Sequence, residues 1–390
     1  MWWGVIVLDP LTRLKCWSNR PSSQQRQPIT KRYLLVHLKI PLFSIPLVIS
    51  TLPRKNRRRT ANQRQRERER EREMVNFVAI QKPLLHGLMK RAGIRPYAVE
   101  IEPGTVMNFW VPRETVKKPD KKAKGKDETL LVNPTKPAVV LIHGFAAEGI
   151  VTWQFQVGAL TKKYAVYIPD LIFFGESVSD TSDRSPAFQA KCVVKGLRKL
   201  GVEMCTVVGF SYGGMVAFKM AEMYPEMVRA MVISGSILAM TDSISEESLQ
   251  RLGFSSSSEL LLPTSVKGLK ALQSVAMHRK IWFPDRFHKD YLEVMFTNRK
   301  ERSELLEALV ISNKDASIPN YTQRIHLLWG EQDQIFKMEL AENMKEQLGE
   351  KATVEGIEKA GHLTHLERPC VYNRCLKRFL ASVHQTEADK

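Results

Sequence analysis

Met204-Cys-Thr-Val-Val-Gly209-Phe-Ser211-Tyr212-Gly213-Gly214-Met-Val-Ala217 is the stretch that decides the fold. Its first half is an apolar run of strand length. Its second half opens a helical pattern that continues to about residue 223, and the joint between them has the form G-x-S-x-G. Those letters alone are short enough to arise by chance, so the context carries the reading. A sharp strand-to-helix turn that lifts a serine Oγ clear of a sheet needs small residues on both sides, and Gly209, Gly213 and Gly214 supply them. The helix begun by Tyr212 would also aim its positive end at the same point.

Working outward, continuous apolar runs recur at residues 137–142 (PAVVLI), 164–168, 204–208, 228–233 and 325–329, with a last strand near 352–357. Such runs suit strands buried on both faces of a parallel sheet. Helical patterns at about 150–161, 186–200, 213–223 and 338–348 separate them, and this alternation predicts an α/β fold with helices on both faces of a mostly parallel sheet. Residues 97–101 and 106–111 read as a preceding hairpin. From about Leu238 to Asn320 the rhythm breaks into amphipathic helical pieces near 245–252, 265–278 and 299–311, which read as an inserted helical cap.

A serine hydroxyl is a weak nucleophile until an oriented base takes its proton. The chain order expected for this turn is serine, acid, histidine. Downstream, Gly330-Glu-Gln-Asp333 follows the end of a buried strand, and Gly361-His362 lies in a loop after the last strand. Both fall at the strand ends where open α/β sheets bind ligands. Glu331 and Asp242 are rival acids near strand ends. His365 is a rival base, but it falls where the next helix begins and lacks a preceding glycine.

With these motifs in place the chain resembles the α/β-hydrolase fold superfamily from roughly Tyr97 to Val383. The resemblance rests on His143-Gly144-Phe145, on Asp170 with Gly175 and Ser177, on Gly209–Gly214, on Gly330 with Asp333, and on Gly361-His362. It implies that Ser211 is the nucleophile, His362 the general base and Asp333 the residue orienting it. It also implies backbone N–H donors for a developing oxyanion from Tyr212, next to the serine, and from Phe145 in the loop after an earlier strand. Asp170, Gly175 and Ser177 then read as a structural turn whose aspartate satisfies loop N–H groups. No cofactor is expected, since such a triad uses only water, and no metal, since no histidine pair stands in H-x-x-x-H form beside an acid.

Epoxide hydrolases and dehalogenases of this superfamily carry an aspartate at the elbow, whereas this chain carries Ser211. That favours ester, thioester or amide substrates, or carbon–carbon bond hydrolysis, and among these a carboxylic ester with a lipid-like or small apolar acyl group is the expectation. Leu260–Leu262, Phe283, Phe287, Tyr291 and Phe296 are candidate apolar lining from the cap, although most read equally as cap core. A receptor of a small ligand, using the same pocket with little or no turnover, is the alternative of a different class.

The composition fits a globular chain: 390 residues, 43% hydrophobic, 26% charged, mean hydropathy −0.25. Cys16, Cys192, Cys205, Cys370 and Cys375 are odd in number and in no metal-ligand spacing, which suits a reducing, cytoplasmic setting. The net charge of +18 suggests nucleic acid until it is located. Residues 1–73 hold 17 Lys or Arg and 5 Asp or Glu, leaving 42 and 36 for the rest, a net of +6. No nucleic-acid partner is therefore expected. The alternating Arg-Glu run at 66–73 is what a GA-dinucleotide repeat encodes, and Met74 follows it directly. Residues 1–73 are thus expected to be a disordered low-complexity leader or an upstream stretch read through by a gene model, with core at 74–237, cap at 238–320 and core again at 321–385. The competing reading is a membrane anchor at residues 33–52, opposed by Lys39 within it. Residues 75–92 predict a helix packed on the domain, with contact to a membrane surface as the sharper alternative.

Overall fold

The structure, a computed structural model, describes residues 76–117 and 130–385. All of them belong to one compact unit that begins at Val75. The expectations for residues 1–73, including the span at 33–52, lie outside the described residues. Among the described residues no helix is long and apolar enough to cross a membrane.

The chain enters through helix α1 (Phe77–Arg91), capped by the Asn76 side chain on the Ala79 N–H and continuous through Pro83. A hairpin follows, β1 (Ile94–Glu102) and β2 (Thr105–Pro112). Then come β3 (Ala138–Ile142), β4 (Ala165–Pro169), α2 (Pro186–Lys199), β5 (Cys205–Phe210), α3 (Tyr212–Met223) and β6 (Val228–Ser234). The sheet order is β1-β2-β4-β3-β5-β6, continued by β7 (Arg324–Gly330) and β8 (Ala352–Ile357); the two-residue strand Val178–Ser179 adds to β2 as a ninth. From β4 to β8 every pairing is parallel, and β1 and β2 join antiparallel. This is the mostly parallel sheet flanked by helices that the alternation of runs predicts.

Strand periodicity divides the core. Val140 and Ile142 of β3 face a cluster with Phe188 and Leu197 of α2, Val216 of α3, and Met344 of α9 (Met338–Leu348). Val139 and Leu141 face the opposite cluster, with Trp153, Met89 of α1, and Tyr372 and Leu376 of α10 (Pro369–Gln385). Both faces of the central strands are therefore covered, which is why these strands read as unbroken apolar runs. The chain progresses to opposite sides from β3 and β5, so a topological switch point lies between them.

Between β6 and β7 the chain forms α4 (Asp242–Leu252), α5 (Ser257–Leu261), α6 (Val266–Ala276), α7 (Asp285–Met295) and α8 (Arg299–Glu307). Thr241, Ser256 and Ser265 cap the first three with their hydroxyls. Met240–Thr241 and Val310–Ile311 pair in parallel where this segment leaves and returns. α7 escapes the apolar periodicity because His288 and Asp290 lie on its buried face. His288 bonds Gln273 of α6, while Asp290 accepts from Arg286 and from the Phe77 N–H at the start of α1.

Candidate active site

The strand-to-helix joint after β5 is as tight as the glycines suggest. Ser211 has φ 52° and ψ −121°, a conformation costing a non-glycine residue about 1–3 kcal/mol. The surrounding structure must hold it there. The Ser211 N–H donates to the Ser234 carbonyl at the end of β6, and the Ser211 carbonyl accepts from Gly214. A Cβ at Gly209 would come within 2.6 Å of the Gly213 carbonyl oxygen, one at Gly213 within 2.5 Å of the Ile142 carbonyl oxygen, and one at Gly214 within 2.5 Å of Ser236 Cβ. Bare backbone at these positions lets α3 start directly against β3 and β6.

Three side chains from separate strand ends converge here. Ser211 Oγ is 3.1 Å from His362 Nε2, and His362 Nδ1 is 2.8 Å from Asp333 Oδ2. Ser211 follows β5, Asp333 follows β7 by three residues, and His362 follows β8 by five. Asp333 and His362 are buried. The other carboxylate oxygen of Asp333 accepts from the N–H groups of Ile335 and Phe336 at 2.8 and 3.0 Å, which fixes the plane of the carboxylate. Phe210 and Phe336 lie against the imidazole at 4.9 and 5.8 Å between ring centres. The rivals stand apart from this chain of contacts. Asp242 begins α4, Glu331 lies beside Gly356, and His365 is buried against Phe210 and Trp153, where burial pulls its pKa down to about 3.

The loop after β3 comes close to the serine, since a Cβ at Gly144 would lie 3.2 Å from Ser211 Cβ. His143 is buried and shapes this loop. Its Nε2 accepts from the Leu171 N–H at 2.9 Å, so Nδ1 carries the proton and donates to the Gly144 carbonyl at 2.7 Å. Burial lowers the pKa of His143 to about 4 and keeps it neutral. The Phe145 and Tyr212 rings meet edge to face at 5.8 Å. Tyr212 opens α3, so its N–H has no carbonyl one turn earlier within the helix.

Asp170 fills the role expected of it in the turn after β4. It accepts from the Gly149 N–H at 2.8 Å and from Asn108 Nδ2 at 2.7 Å, and its carbonyl accepts from Ser177 Oγ. Burial, then the nearby Glu148, raises its pKa to about 7. Among the described residues no three His, Cys, Asp or Glu side chains converge to hold a metal ion.

One residue of the site escaped the sequence. Gly235, with φ +52°, passes behind the imidazole, and a Cβ there would lie 2.8 Å from His362 Nδ1 and 3.2 Å from Asp333 Oδ2. The only local signal is a glycine directly after an apolar strand run.

Comparison with known proteins agrees with this architecture. Residues 137–369 match the model of the alpha/beta hydrolase fold family. Among curated proteins, the monoacylglycerol lipase ABHD6 of Bos taurus is 26% identical over 266 residues, 65% of this chain and 78% of its own length, and the Homo sapiens form is 25% identical over the same length. Among solved structures, a putative lipase of Acinetobacter baumannii superposes with a TM-score of 0.63 at 22% identity, covering 78% of this chain and 97% of its own. The 2-hydroxy-6-oxo-6-phenylhexa-2,4-dienoate hydrolase of Rhodococcus gives 0.58 at 20%, covering 75% and 99%. The chain belongs to the alpha/beta hydrolase fold family.

Proposed function

We propose that this protein hydrolyses carboxylic esters with small apolar or lipid-like acyl groups through an acyl-enzyme on Ser211. The observation that carries the reading is the continuous contact from Ser211 Oγ through His362 to Asp333, at 3.1 and 2.8 Å. In this mechanism His362 Nε2 accepts the serine proton as Oγ attacks the ester carbonyl. Asp333 holds Nδ1–H, stabilises the imidazolium and keeps Nε2 free to accept. The N–H groups of Tyr212 and Phe145 receive the oxyanion. Collapse expels the alcohol, which takes the proton from His362, and water then repeats the sequence to release the acid. The helices between residues 238 and 320 act as the cap, with Tyr291 and Phe296 among its apolar contributions. Monoacylglycerols are the first substrates to try, because the curated relatives named above are monoacylglycerol lipases.

A fluorophosphonate probe tests the nucleophile, and a panel of monoacylglycerols and p-nitrophenyl esters of graded chain length tests the substrate. The wild-type chain should take one probe at Ser211 and turn over esters repeatedly. Ser211→Ala should take none and lose roughly 10⁴–10⁶-fold in kcat, the scale of removing a triad nucleophile. Folded wild type that neither labels nor turns over esters would sink the proposal in favour of a ligand-binding role.

A further inference from the structure

Three consecutive carbonyls of the loop after β3 each accept a hydrogen bond from a side chain. His143 Nδ1–H donates to Gly144, Arg302 Nη2 donates to Phe145, and the Tyr291 hydroxyl donates to Ala146 at 3.3 Å. A trans peptide is planar, with its N–H pointing opposite to its C=O. Fixing the Gly144 carbonyl therefore aims the Phe145 N–H, and fixing the Phe145 carbonyl aims the Ala146 N–H and anchors the far side of Phe145. Only the first of these donors belongs to the loop. Tyr291 sits on α7 and Arg302 on α8, 145 and 157 residues further along the chain.

Arg302 is an unusual residue to bury. It is 1% exposed, and among the described residues no carboxylate lies within ion-pair distance of it. Its guanidinium is held by the carbonyls of Phe145 and Met295, the latter at 2.7 Å, and by the ring faces of Phe174, Phe145 and Phe296 at 4.3, 5.1 and 5.4 Å. Its Nε has no partner among the described residues. Burial pulls its pKa down to about 9, the mark of a cation that the fold accommodates at a cost. An apolar side chain of similar length would fill the space more cheaply. What an apolar chain could not do is hold the Phe145 carbonyl.

We propose that Arg302 is a positioning residue for the oxyanion-binding loop, supported by Tyr291, so that the helices between β6 and β7 complete the hydrolytic site as well as covering it. The inference rests on the acyl-transfer reading above. It separates two properties that a structural residue would join: removing Arg302 should spare the fold and harm the chemistry.

The full-length protein is compared with its Arg302→Met and Tyr291→Phe variants for kcat and KM on an ester the wild type hydrolyses, for the fraction of sites titrated by fluorophosphonate, and for Tm. Losing one oxyanion donor typically costs about 10²–10³-fold, so misaiming one should lower kcat of Arg302→Met by about 10–100-fold. KM should stay within about threefold and the titratable fraction full, while Tm shifts by only a few degrees, because relief of the buried cation offsets the donor lost to the Phe145 and Met295 carbonyls. Tyr291→Phe, which removes only a hydroxyl, should lower kcat several-fold at wild-type Tm. An Arg302→Met protein with kcat within twofold of wild type, or with a loss matched by its titratable fraction, overturns the inference. If Arg302→Met does not fold, an unchanged kcat in Tyr291→Phe overturns it and a several-fold loss supports it. Wild type that neither labels nor turns over esters overturns the reading of the site and this inference with it. Active wild type beside an equally active Arg302→Met overturns this inference alone.

Discussion

Adding one methyl group behind the imidazole should disable the site without touching any reacting atom. In Gly235→Ala the new Cβ would stand 2.8 Å from both Cε1 and Nδ1 of His362, where ordinary contact begins at 3.4 Å. The ring must retreat by at least the difference, about 0.6 Å, or the backbone must carry the methyl away by as much. Asp333 Oδ2, at 3.2 Å from the same Cβ, and the two N–H groups that hold the carboxylate oppose any compensating movement. Displacements approaching 1 Å cost on the order of 10²-fold in rate, so kcat should fall by about that factor. The backbone adds a separate charge on stability. At φ +52° a side chain costs about 1–2 kcal/mol, and overpacking about 1–3 more. The assay is kcat on an ester substrate, normalised by active-site titration, with Tm and the low-field imidazole N–H resonance of the His362–Asp333 pair measured on the same protein. A Gly235→Ala variant with kcat within threefold of wild type and an unshifted resonance would refute the argument.

Asp333→Asn should keep the fold while losing on the order of 10⁴-fold in kcat, because an amide facing Nδ1 favours the wrong tautomer; kcat within tenfold of wild type would contradict the assigned role. His365→Phe should leave kcat within a few-fold of wild type, since its ring stands outside the contact chain. The same variant tests a pH effect. The folded pKa of His365 is depressed to about 3 against an unfolded value near 6.5, so only the unfolded chain takes up that proton between those limits. Stability is therefore lost as pH falls from 6.5 toward 3, by about 3 kcal/mol at pH 4 from this residue. Urea midpoints at pH 7 and pH 4 should differ less in His365→Phe than in wild type, and equal differences would argue that the imidazole is not buried neutral.

What the sequence disclosed and what it withheld divide along a physical line. Helix 338–348 and strand 352–357 were legible to the residue because one is amphipathic with a clear 3.6 period and the other sits between a helix and the Gly361-His362 motif. The convergence of Ser211, Asp333 and His362 was legible because an acyl-transfer site would need those residue types at strand ends in that chain order. α7 was not, since its buried face carries a histidine and an aspartate whose partners, Gln273 of α6 and the Phe77 N–H of α1, lie on other helices. Arg302 sits in a helix reading Arg-Lys-Glu-Arg-Ser-Glu, where nothing local marks which cation is buried. Gly235 is one of many glycines after strands, and its closeness to His362 depends on a residue 127 positions away. Local pattern reveals periodicity and composition; it does not reveal which distant group will occupy the space beside a side chain.

The paired dipeptides Met240–Thr241 and Val310–Ile311 bring the chain back beside its point of departure. Strands in a ladder lie about 4.8 Å apart, so everything between them is a closed excursion from a fixed neck. Doubling the length of such an excursion costs only about 0.6 kcal/mol of closure entropy. Segments of other lengths and sequences could thus be transplanted onto this sheet without disturbing its register, and ligand preference could be re-engineered apart from the reacting groups. The transplant would have to bring its own donors to the Phe145 and Ala146 carbonyls, which makes those two bonds the compatibility test for any such chimera.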